Sequence, residues 1–141
     1  MTQKQAPVTT APPTTIRVVT AVIERSGRYL ITQRRPNATL PLLWEFPGGK
    51  VEQSETDHDA LVREVSYRLG VKIAVGHLIG FVSHPYERYT VDLRMYDCSL
   101  QSGEPHEQNV NAFAWVASND FDRYEFTPAD EMSMTELLGI G

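Results

Sequence analysis

The chain of 141 residues is 41% apolar and 22% charged, enough for one globular domain with its own core. A net charge of −5 speaks against a general nucleic-acid binder, which carries a basic stripe, yet leaves room for a phosphate-bearing small molecule held by a few local arginines. The single cysteine, Cys98, excludes an intramolecular disulfide, and no apolar run approaches the ~20 residues of a membrane span, so the expected setting is the cytoplasm with no membrane partner.

Residues 1–15, "MTQKQAPVTTAPPTT", have no apolar signal region and are rich in Thr, Pro, Gln and Ala; a disordered tail is expected, followed by one domain over 16–141. "IRVVTAVIERSGRYLITQRR" predicts two strands around a Ser26-Gly27 turn, the first apolar on both faces and therefore central. "PNATLPLL" is a loop, and "WEFPGGKVEQSE" an extended piece breaking into a glycine turn. A helix is predicted over Asp57 to Leu69, with Thr56 and Asp59 as a reciprocal cap, Leu61, Val65 and Leu69 as the buried stripe, Val62 widening it, and Gly70 closing it.

"VKIAVGHLIGFVSH" and "RYTVDLRMYDCSL" read as strands. In the second, the apolar phase slips from Val91, Leu93 and Met95 to Tyr96, Cys98 and Leu100, which predicts a bulge or bend. "VNAFAWVAS" is a last strand and "PADEMSMTELLG" a C-terminal helix. Cys98, Trp44 and Trp115 are expected in the core, and His58, His77, His84 and His106 show no metal-ligand spacing. The order ββαβββα predicts a mixed sheet with helices on its faces.

One spacing carries chemistry. Gly49 is followed by five residues and Glu55, then by seven more before Arg63-Glu64-Val65, and the segment closes on Leu69-Gly70-Val71. This resembles the Nudix box, G-x5-E-x7-R-E-U-x-E-E-x-G-U, where U is aliphatic. "WEFPGGKVE" and "FAWVASNDFDRYEFTPAD" are similar to the MutT branch of that family, and the resemblance runs from about Arg17 to Leu138.

The resemblance implies an α+β fold, an α/β/α sandwich whose mixed sheet is flanked by the box helix and a C-terminal helix. It implies a nucleotide as partner and hydrolysis of a diphosphate linkage. The cofactor would be Mg2+ or Mn2+, held by three helix glutamates and a glycine-turn carbonyl, here that of Gly48. Such a cation neutralises phosphate oxygens and lowers the pKa of water. Helical spacing brings positions 64, 67 and 68 to one face.

Here the chain departs from the pattern. Glu64 is kept as metal ligand or base, but Tyr67 and Arg68 stand where the glutamate pair belongs, so two negatives are lost and a positive gained. A fourth acid of the branch aligns with Asn109; Glu107, two residues away, and Glu52 are the available stand-ins. By the resemblance, Glu55 and Arg63 form a supporting ion pair, and Arg34, Arg35 and Arg88 with Tyr89 contact substrate. Asp130 either reads a base edge or caps the last helix. Tyr67 is either a partly buried packing residue, the expected role, or a ring that stacks on or hydrogen-bonds a ligand. Arg68 is either a solvated helix-end arginine or a guanidinium replacing the metal as a phosphate clamp.

Two functional readings follow. The first is a MutT-like hydrolase whose activity is weak or lost. The second is a non-catalytic nucleotide-binding or sensor module without a metal. A bare scaffold is a third, and the oligomeric state is left open.

Overall fold

A computed structural model describes residues 14–138. Strand β1 (Thr14–Arg25) turns through Ser26-Gly27 into β2 (Arg28–Gln33). After the proline loop come β3 (Trp44–Glu45), β4 (Gly48–Lys50) and helix α1 (Asp57–Leu69). The long hairpin β5 (Lys72–Pro85) and β6 (Tyr89–Ser102) leads to β7 (Ala112–Val116), a 3-10 turn (Ser118–Arg123) and helix α2 (Pro128–Leu138). The sheet runs β3-β2-β1-β6-β5, with β4 paired to β1 and β7 to β2. Among the described residues the β1–β6 ladder is parallel and the other strand ladders antiparallel, so the sheet is mixed as the sequence predicts. Residues 1–13 of the expected tail lie outside the described residues, while Thr14 and Thr15 already pair with Tyr89 and Thr90. No helix among the described residues is long and apolar enough to cross a membrane.

The period-2 geometry of β1 explains its unbroken apolar run. Val19, Ala21 and Ile23 pack with Ala60, Leu61, Val65 and Leu69 of α1, whereas Val22 packs with Val91, Leu93, Met95 and Ala129 on the α2 side. The expected bulge falls at the change of phase in β6, but the extra residue is in β5: Leu78 faces Tyr96 and Gly80 faces Met95. Strand β6 pairs with β1 residue for residue from Tyr89 to Cys98. Val91, Leu93 and Met95 are buried under α2 on one face; Tyr96 and Cys98 are buried under α1 on the other. The apolar phase changes because the covering helix changes. The β5–β6 ladder also shifts register between Lys72 and Ile73 and between Val75 and Leu78. Neither tryptophan is fully buried: Trp115 lies beneath the Arg25 guanidinium at 4.2 Å, and Trp44 meets Tyr124 edge-on at 5.0 Å.

Helix α1 is specified locally. Thr56 Oγ1 accepts from the Asp59 N–H at 3.1 Å, and Gly70 takes the left-handed conformation at φ 68° that lets its N–H reach Ser66 O. At its first turn the buried Asp57 accepts from the Tyr96 hydroxyl at 2.6 Å and pairs with Arg17 at 2.9 Å, tying the helix to β1 and β6. Burial and that carboxylate push the Tyr96 phenol up to about 12. The C-terminus of α1 is closed by a loop forty residues away. His106 N–H donates to Leu69 O, Asn109 N–H to Arg68 O, and the Gln108 and Asn109 side-chain amides both donate to Tyr67 O. With Gln108 also reaching Ser66 O, every carbonyl of the last turn has a donor.

Candidate active site

A cavity of about 380 Å³ opens between the α2-facing side of β1 and β6, the β3–β4 segment and the start of α2. Gly48, Gly49 and Lys50 line it beside Arg68 at one end, and Phe46 and Asp130 line it at the start of α2. Instead of the expected turn, the glycines form strand β4, with Gly49 opposite Val19 and Gly48 opposite Thr20. Both glycines are required by space. A Cβ on Gly48 would lie 2.0 Å from Val19 O, and one on Gly49 would lie 2.4 Å from the Glu64 carboxyl carbon. The close strand thus presses the Glu64 carboxylate against the glycine backbone.

Glu64 is buried on the face of α1 turned to β4, and both its oxygens are engaged. Arg63 Nη1 donates to Oε2 at 2.8 Å, and Arg68 Nε donates to Oε1 at 3.0 Å across one helical turn. Arg63 also donates to Glu55 at 2.7 and 2.9 Å and to Lys50 O at 3.0 Å. It therefore braces the loop before α1, the helix and β4 together. Its bonds to Glu55 and the Glu52 N–H donating to the same carboxylate hold the Glu55 carboxyl down at about 2. Those same Glu55 bonds hold the Arg63 guanidinium well above its usual range.

The remaining acid positions do not complete a cation site. Tyr67 is 58% exposed, so the expected packing role gives way to a solvent-facing ring at the helix end, where nothing covers it. Asn109 is spent on the α1 carbonyls and accepts from Arg35 at 3.4 Å. Glu107 and Glu52 are exposed and line none of the cavity. Among the described residues no three acidic, histidine or cysteine side chains converge. Magnesium demands several oxygen ligands. A guanidinium 3.0 Å from the one inherited glutamate occupies that oxygen with a fixed positive charge, so the residues present do not fit a resident dication.

Arg34 and Arg35 follow the end of β2 and both line an outer hollow of about 180 Å³ with Tyr67, Arg68 and Asn109, but of the two Arg34 also lines the cavity. Arg34 pairs with Glu45 at 3.3 Å. Glu45 is largely buried, with 16% of its side chain exposed, and burial raises its carboxyl pKa. Sequence reasoning passed over it, although an acid between Trp44 and Phe46 is a visible anomaly.

Asp130 is 2% exposed and lines the cavity. Thr127, not Asp130, caps α2: its Oγ1 accepts from the Asp130 N–H at 3.3 Å. The Asp130 carboxylate accepts from Phe46 N–H at 3.1 Å and from the Thr127 hydroxyl at 2.7 Å. Burial first, then nearby Glu45, push its carboxyl up to about 7. Arg88 is exposed at the hairpin tip and does not line the cavity, while Tyr89 does, stacked at 5.2 Å on Tyr86. Tyr86 was not singled out from the sequence, because hairpin geometry alone turns its ring inward.

Residues 18–136 match the profile of the NUDIX domain family. The chain is 33% identical over 115 residues to a CTP pyrophosphohydrolase of Escherichia coli (strain K12), covering 82% of this chain and 85% of that protein. It is 34% identical over 123 residues to a putative 8-oxo-dGTP diphosphatase 2 of Mycobacterium tuberculosis (strain ATCC 25618 / H37Rv), covering 85% and 86%. A crystal structure of a MutT NUDIX hydrolase from Burkholderia pseudomallei superposes with a TM-score of 0.79 at 27% identity, over 88% of this chain and 98% of that one. With a glycine strand, box helix and cavity in the arrangement the motif implies, the chain belongs to the Nudix family, in its MutT-like part.

Proposed function

We propose that the cavity binds a nucleoside di- or triphosphate and that magnesium-dependent cleavage of its diphosphate linkage is slow. The observation carrying this reading is the engagement of both Glu64 oxygens by Arg63 and Arg68. A guanidinium supplies positive charge and planar donors to phosphate oxygens. It activates no water and cannot gather ligands around itself as a dication does. Arg34 and Arg68 lie at the same cavity, and Lys50 lines it beside Gly49, so anionic phosphate is favoured at that end. The buried carboxyl of Asp130 offers a hydrogen-bonding edge for a base. The names of the relatives support a nucleotide as ligand.

A panel of CTP, dCTP, GTP and 8-oxo-dGTP, assayed with magnesium and with manganese, tests this. The double change Tyr67→Glu/Arg68→Glu is expected to raise turnover over the natural chain by about two to three decades, the scale of one lost electrostatic contact. Fast turnover by the natural chain, abolished by Glu64→Gln and by chelator, would sink the reading. If the protein serves as a sensor with no turnover, the clamp predicts nucleotide affinity that ignores magnesium and falls in Arg68→Ala.

A further inference from the structure

On the cavity side of β1 the side chains read Ile16, Val18, Thr20 and Val22, so a single hydroxyl interrupts an apolar wall. Thr20 is 3% exposed and lines the cavity, and its Oγ1 has no hydrogen-bond partner among the described residues. A buried hydroxyl without a partner destabilises the fold that holds it. Valine has the same shape, suits a strand at least as well and carries no such cost.

The place of this hydroxyl along the wall indicates a use. Thr20 stands opposite Gly48 in the β1–β4 ladder, and Val18 stands opposite Lys50. From Asp130, which holds the Phe46 N–H, the cavity wall runs through Phe46 to Gly48 and on to Gly49 beside Glu64. Thr20 thus lies between the carboxyl end and the phosphate end, where the sugar and the inner edge of a base must pass. Oγ1 itself exposes less than 1 Å² in the free protein, so a change of the Thr20 χ1 rotamer has to accompany binding to present the hydroxyl.

We infer that the Thr20 hydroxyl is a hydrogen-bonding contact for the nucleoside part of the ligand, and so a determinant of which nucleotide is held. The inference rests on the nucleotide reading of the cavity. The full chain and its Thr20→Val and Thr20→Ser variants are titrated calorimetrically with CTP, dCTP, GTP and 8-oxo-dGTP, and their thermal unfolding is followed without nucleotide. Thr20→Val is expected to keep or raise the unfolding midpoint while weakening the best-bound nucleotide about tenfold, the scale of one hydrogen bond. Thr20→Ser, which keeps the hydroxyl, is expected to hold affinity within about threefold. A lower midpoint for Thr20→Val would show a structural role and overturn the inference. So would unchanged affinity beside a natural chain that binds. If the natural chain binds none of the panel, the nucleotide reading itself falls, and this inference with it.

Discussion

At the scale of single residues, Asp130 ties stability to pH. The folded chain holds this carboxyl at about 7, because it is buried beside Glu45. An unfolded aspartate titrates near ~3.9. Between those values the unfolded chain ionises while the folded one keeps its proton, so the folded state loses ground as pH rises through that window and levels off above it. Asp130→Asn is expected to flatten the fall in melting temperature between about pH 4 and 7, and to raise it at pH 8. Thermal melts across pH read this directly, and a variant keeping the full slope would assign it to another group. Glu55 acts in the opposite sense: its carboxyl sits at about 2, so the Arg63 contact is lost only in strong acid. The Asp130 environment was not legible in the sequence, since its burial depends on Phe46, more than eighty residues away.

At the scale of elements, α1 shows which features are written locally. Its cap at Thr56, its stripe Leu61–Val65–Leu69 and its stop at Gly70 are spaced within one segment and are all found. Its C-terminal closure is not local, because the donors come from 106–109. Asn109 therefore has a role that alignment to a catalytic acid hides: its amide donates to Tyr67 O at 2.9 Å at the negative end of the helix. Asn109→Glu replaces a donor with a like charge. It is expected to cost about 1–2 kcal/mol and to lower the melting temperature by several degrees. An unchanged melt would mean that the loop caps the helix through its backbone alone. The glycine strand teaches the complementary point. "GGK" resembles a turn until β1 is placed beside it, and then the missing Cβ atoms become a condition of close pairing.

At the scale of the whole molecule, net charge and local charge disagree. The chain carries −5, yet Arg34, Arg35 and Arg68 gather around the cavity and the adjoining hollow. Attraction for an anionic ligand is then short-ranged, and the global field opposes it. Raising salt from about 50 to 500 mM is expected to weaken nucleotide affinity by less than about tenfold, because screening removes both contributions. A loss of several decades, as in backbone binding to nucleic acid, would contradict a local clamp. The mixed sheet, the helix faces and the box were legible because each rests on periodicity or fixed spacing. The cavity was less so: Tyr86, Glu45 and Thr20 enter it through strand pairing and hairpin geometry, which no single segment encodes.

The loop that closes α1 also sets an order on change. With Asn109 committed to the helix, an acid at 109 would give up the donor to Tyr67 O while standing beside Arg35. Replacing Asn109 first would trade the bond to Tyr67 O for a charge beside Arg35; replacing Tyr67 and Arg68 first would leave the Asn109 bond in place. The order in which these positions change therefore decides whether the helix end stays closed in the meantime.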